Sequence, residues 1–193
     1  MSAMNENRSP KKTAFHSAKE IAYIGLFSAL LIGGQLAFSF FPGVEIVTAL
    51  FVSYSFVFGR IRGMAVATVF SVLRQLLFGF FPNVFVLYLI YYHLLAFGLG
   101  SIGKKYGAEP KRKLWLVLLC SCLYCVLFTV FDDLITPLWY GYSQRARTAY
   151  IVASLPVMGA QTLCVGITTG ILFLPLNKTF RLIAKPSGMK ING

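Results

Sequence analysis

The chain has 193 residues, of which 57% are hydrophobic and 12% charged, and it carries a formal net charge of +12. A soluble domain of this length holds roughly 25% charged residues, and its apolar residues alternate or form one-sided stripes, whereas here they fall in long runs. Composition therefore excludes an ordinary soluble domain and points to an all-α, polytopic membrane protein.

Residues 1–19 are polar and basic, with Arg8, Lys11, Lys12 and Lys19. They are expected to form a cytoplasmic arm and not a cleavable leader, because the apolar stretch after them is too long and lacks a small-residue cleavage site. Six apolar segments follow, each measured against the about 20 residues a helix needs to cross a bilayer core. The first covers about 21–41 and stops at "FPG". The second, about 44–59, is short and stops at Arg60-Ile-Arg62. The third covers about 63–81 and ends at Pro82-Asn83. The fourth covers about 84–102 and is followed by "KKYGAEPKRK". The fifth, 114–135, ends at Thr136-Pro137, and the last, about 150–176, is long enough to tilt or to kink at Pro156. Together they predict one membrane domain, 20–177, followed by a basic tail, 178–193. There is no low-complexity tract and no obvious internal repeat.

Charge tests the count of six. An even number of crossings places both termini on one side, together with the loops after the second and fourth spans. Fifteen of the eighteen basic residues fall there; Arg145 and Arg147 lie opposite, and Arg74 lies within a span. The positive-inside rule then puts both termini in the cytoplasm. The basic excess is thus a topology signal, and no nucleic-acid partner is expected. The four cysteines form no disulfide framework. Cys122 and Cys125 have C-x-x-C spacing but no second ligand pair follows, so they are expected to act as small buried hydrophobes.

Ionisable and polar groups inside a membrane are costly and mark function or pair with one another. Counted at about 1.5 Å per residue, they gather in the outer half of the bundle: Gln35, Glu45, Arg74, Asn83, Tyr88, Tyr92, Asp132, Asp133, Trp139, Tyr140 and Gln161. The inner halves are almost purely apolar. A channel or proton relay would carry polar groups through the full depth, whereas a pocket open to the outside is polar only near its mouth. Ser154, Met158, Gln161 and Thr168 share one helix face, and Tyr88 and Tyr92 share another with Tyr91 at its edge. Each candidate also has a plainer reading. Trp139 and Tyr140 suit interface anchors, Glu45 suits a helix cap, and His93 lies on a small-residue packing face. Arg74 either pairs with Asp132 or Asp133 or faces a ligand; the twin aspartates are expected at the rim of the cavity, one of them neutralised by Arg74.

The first span has a further feature. "AKEIAYIGLFSALLIGG" sets Ala18, Ala22, Gly25, Ala29 and Gly33 in one small-residue stripe. Such stripes let helices approach closely in lipid, here against either another helix of the chain or another subunit.

These features, with the segments "FFPGVEIVTALFVSYSFVFG", "LLFGFFPN" and "SLPVMGAQTLCVGITTGILFLPL", resemble the substrate-binding S components of energy-coupling-factor (ECF) vitamin transporters across nearly the whole membrane region. That family carries an Ala-x-x-x-Ala motif in its first helix for contact with the coupling subunit. Ala18 and Ala22 fit it literally, and Gly25 and Ala29 fit it with glycine substituted. The resemblance implies an outward-facing pocket for a vitamin-like small molecule, a shared transmembrane coupling subunit, two cytoplasmic ATPase subunits, and residence in a bacterial plasma membrane. It implies no cofactor, no resident metal and no catalytic residue, and the chain has no G-x-x-x-x-G-K-[ST] phosphate loop of its own. Relatives often carry an acidic residue where this chain has Arg74 in "VFSVLRQLLFGF", so their ligands do not transfer; cobalamin, folate-like, pyrimidine and pantothenate-like compounds all stay open. Two other readings stand beside this one: a small membrane enzyme acting on lipid through the paired aspartates, and a self-sufficient carrier or channel.

Overall fold

The computed structural model describes residues 18–40, 45–187 and 191–192. Residues 1–17 of the predicted arm, the "FPG" stop of the first span, and 188–190 and 193 of the predicted tail lie outside the described residues. Six helices follow one another: α1 (Ala18–Phe38), α2 (Val47–Phe58), α3 (Arg60–Phe78), α4 (Pro82–Tyr106), α5 (Leu114–Trp139) and α6 (Gln144–Ser187). No strand occurs among the described residues. All but α2 are long and apolar enough to cross a membrane, which suggests a multi-pass membrane protein.

The second predicted segment forms a shorter helix than expected. α2 has 12 residues; at about 1.5 Å each it covers roughly 18 Å, short of the about 30 Å hydrocarbon core. Every one of its residues is buried, as expected for a helix apolar on all sides. It is the core of the molecule: α6, α4 and α3 pack around it, with α1 and α5 completing the wall. A helix sheathed by its neighbours meets no lipid, so nothing requires it to match the bilayer.

Other boundaries shift for local reasons. A single residue, Gly59 at φ +86°, turns the chain from α2 into α3, and Arg60 and Arg62 therefore belong to α3 and not to a loop. On α4, a Cβ at Gly100 would strike the Arg60 backbone, and one at Gly103 would strike the carbonyl of Phe56. These glycines let α4 lie directly against the end of α2. α5 runs four residues further than expected, through Pro137, and ends at Gly141. That glycine has φ +62°; its N–H donates to Leu138 O (3.4 Å) and the N–H of Tyr142 to Pro137 O (2.9 Å), the two bonds of a Schellman cap. α6 starts earlier than expected, behind Ser143, whose hydroxyl accepts the N–H of Ala146 at 3.3 Å. It then continues through Pro156 and Pro175 to Ser187, so residues 178–187 of the expected tail are helix.

One end of the bundle is basic and tightly closed. Arg62 pairs there with Glu20 of α1, and Arg181 of α6 donates to Gly107 O (2.6 Å), Asn192 O (2.9 Å) and Asn177 Oδ1 (2.8 Å). The last four carbonyls of a helix lack intrahelical partners. In α2 all four are satisfied: Ser55 O by Gly59 N, Phe56 O by Asn192 Nδ2, Val57 O by Asn192 N and Phe58 O by Arg62 Nη1.

Candidate functional site

The opposite end is built differently. Because α2 begins only at Val47, the space beyond its first turn stays open as a cavity of about 320 Å³ to which all six helices or their flanks contribute. That volume is at the lower end of the roughly 300–1,000 Å³ typical of small-molecule pockets.

α1 supplies Gln35, whose Nε2 donates to the Tyr88 hydroxyl at 3.1 Å; its Oε1 is buried without a partner. The segment before α2 supplies Glu45. Its Oε1 accepts the Thr48 N–H at 2.8 Å and lies 3.1 Å from the Thr48 hydroxyl, so it caps α2 while lining the cavity. α6 holds the backbone of this residue in place. Glu45 N donates to Cys164 Sγ at 3.1 Å, and the Thr168 hydroxyl lies 3.0 Å from Glu45 O. Gln161, one turn earlier on α6, lines the cavity as well.

α3 supplies Arg74. Its guanidinium carbon lies over the Tyr88 ring at 4.8 Å and the Phe78 ring at 5.5 Å, a cation–π arrangement that holds the faces of the group. Among the described residues no carboxylate is within ion-pairing distance of it, and its Nε and Nη1 are buried with no hydrogen-bond partner. α4 supplies Tyr88, Tyr91 and Tyr92, spaced so that three rings meet in one patch: Tyr88 and Tyr92 are 5.4 Å apart between centroids, Tyr91 and Tyr92 4.8 Å. Phe128 of α5 packs edge-on against Tyr88 (5.7 Å) and Tyr91 (4.9 Å). Phe51 and Phe70 support the patch from within the core.

Of the residues singled out in the sequence, Gln35, Glu45, Arg74, Tyr88, Tyr92 and Gln161 line this one cavity. Asn83, Asp132, Asp133 and Trp139 do not. Asp132 accepts hydrogen bonds from the Tyr150 hydroxyl (2.6 Å) and the Thr136 hydroxyl (2.7 Å), and Asp133 from Ser154 (2.8 Å). Asn83 donates to Thr136 at 3.0 Å and accepts from the Tyr140 hydroxyl at 3.1 Å. The twin aspartates thus fasten α5 to α6 and α4, and the expected neutralisation by Arg74 is corrected. α3 packs on α1, α2 and α4, whereas α5 packs on α2, α4 and α6. Equal depth along two helices does not make them neighbours. Trp139 is exposed at the end of α5, as an interface anchor would be.

The small-residue stripe of α1 faces away from the bundle. Ala18, Ala22, Gly25, Ala29 and Gly33 are all exposed, and Cβ atoms added at the two glycines would meet nothing within 4 Å. None of the described helices packs on it. His93 bonds locally, with Nδ1 2.6 Å from Leu89 O and Nε2 3.1 Å from the Thr68 hydroxyl, in keeping with a packing role.

Sequence reasoning passed over Phe78, Cys125 and Phe128 as lining residues and left Tyr91 at the margin. The spacing was available: Cys125 and Phe128 are three apart, and Tyr91 is three after Tyr88, so each pair shares a helix face. No protein-family model matches this chain, no curated protein matches it, and no solved structure matches it.

Proposed function

We propose that this chain is the substrate-binding subunit of an ATP-driven ECF-type importer in a bacterial plasma membrane. In this reading α2 serves as the sixth crossing, both termini are cytoplasmic, and the cavity opens to the outside and captures a vitamin-like small molecule. The observation that carries it is the cavity itself: every helix or its flank contributes to one aromatic and polar hollow at the end opposite the Arg62 and Arg181 seam. The distribution of those residues supports the orientation. The outward-facing stripe on α1 supports docking of a separate coupling subunit, and the missing phosphate loop assigns ATP hydrolysis to partner subunits.

The test is uptake by vesicles that hold this chain with a coupling subunit and ATPases. Ligand capture by the purified chain, combined with ATP-dependent uptake only in the full assembly, is the expected result. In Ala22→Leu, capture and melting temperature are retained while uptake is lost, because a bulky side chain keeps the helices apart without touching the chain's own core. Uptake by vesicles containing this chain alone would overturn the subunit reading in favour of a self-sufficient carrier.

A further inference from the structure

Arg74 sets a chemical requirement on whatever fills the cavity. A guanidinium removed from bulk water is costly unless a counter-charge and hydrogen bonds compensate. Here it lies over the rings of Tyr88 and Phe78, while among the described residues Nε and Nη1 have no hydrogen-bond partner and no acid pairs with it. A guanidinium with two buried nitrogens unpartnered among the described residues is set to accept an oxyanion.

The other polar groups of the cavity require the opposite. Gln35 Oε1 is buried with no donor among the described residues, while its Nε2 bonds the Tyr88 hydroxyl. Glu45 takes hydrogen bonds from Thr48 and from the Val47 backbone, and its carboxylate lines the cavity as an acceptor. These two sites call for N–H or O–H donors. A ligand with only an acid would meet the Glu45 carboxylate, and a ligand with only a basic group would meet Arg74. A neutral apolar ligand would leave Arg74 and Gln35 Oε1 buried and unsatisfied.

We infer that the cavity takes a small amphoteric compound, with an oxyanion group on Arg74, an N–H-bearing group toward Gln35 and Glu45, and a flat body against Tyr88 and Phe128. This rests on the receptor reading above and narrows it. The volume of about 320 Å³ suits a compact one- or two-ring compound.

The probe is the filtered small-molecule extract of bacterial cells, incubated with the full chain in lipid nanodiscs. After washing and denaturation, the released compounds are identified by mass spectrometry. The expected result is a retained compound with both an acidic group and an N–H group, whose retention falls by roughly 30-fold or more in Arg74→Gln. Arg74→Lys, which keeps the charge, is expected to retain more than Arg74→Gln, and this separates loss of charge from a folding defect. Retention of a compound without an acidic group, or equal retention in wild type and Arg74→Gln, or equal loss in Gln and Lys variants, overturns the amphoteric assignment and leaves the receptor reading in place. If the wild-type chain retains nothing, both fall together.

Discussion

α3 carries two inward-facing arginines, Arg62 near its start and Arg74 near its end, and the molecule treats them in opposite ways. At the basic end Arg62 meets the Glu20 carboxylate, also donates to the Phe58 carbonyl, and forms part of a seam that closes the C-terminal carbonyls of α2. At the cavity end Arg74 lies over two rings, with no carboxylate among the described residues in ion-pairing reach. The same side chain on the same helix is thus structural in one place and unfinished in the other. Pairing within the chain marks a buried charge that holds the fold, whereas a buried charge left unpaired inside a hollow marks one kept for something that arrives.

If that contrast is right, the largest loss of stability comes from the paired end. Glu20→Ala removes the α1 carboxylate that Arg62 meets, and thermal or denaturant unfolding in detergent should register a loss of about 3–5 kcal/mol. Next is Gly103→Val, which drives a branched side chain into the Phe56 carbonyl. Since the obstacle is backbone, the cost should reach the upper part of the about 1–3 kcal/mol range for overpacking. Asn192→Ala follows. It removes the donor that satisfies Phe56 O at 2.9 Å, and an orphaned buried acceptor should cost about 1–2 kcal/mol. A basic end that tolerated all three without loss would not be the closed seam described here.

The sequence revealed the helices better than their neighbourhoods. Long apolar runs announce α1, α3, α4, α5 and α6, and the shortness of α2 was visible in its own residues. That α2 is a core helix was not, since an all-apolar segment looks alike in lipid and in protein. Depth counting grouped the right stratum of polar residues but could not say which helices adjoin. It therefore joined Arg74 to Asp132 across a bundle that keeps α3 and α5 apart. For the same reason it missed Glu20 with Arg62: Glu20 follows the arm's last lysine, and Arg62 looked like loop charge, until Gly59 turned the chain and set α3 beside α1. Angular position around a single helix is legible in sequence. Which neighbour that angle faces is a property of the assembled bundle.

The smallest expected change in stability is also the most discriminating, because its sign differs from the rest. Replacing Arg74 by Gln removes a cation that no acid among the described residues pairs with, while keeping most of its length and a hydrogen-bonding end. The cation–π contacts with Tyr88 and Phe78 contribute about 0.5–2 kcal/mol, and burying the charge costs several. These opposing terms leave Arg74→Gln near neutral, or more stable than wild type by up to about 1 kcal/mol, in the ligand-free protein. Measured beside Glu20→Ala, the pair tests the comparison directly. A loss in Arg74→Gln as large as that in Glu20→Ala would mean that Arg74 is as much part of the fold as Arg62, and the cavity would lose the group that gives it a chemical preference.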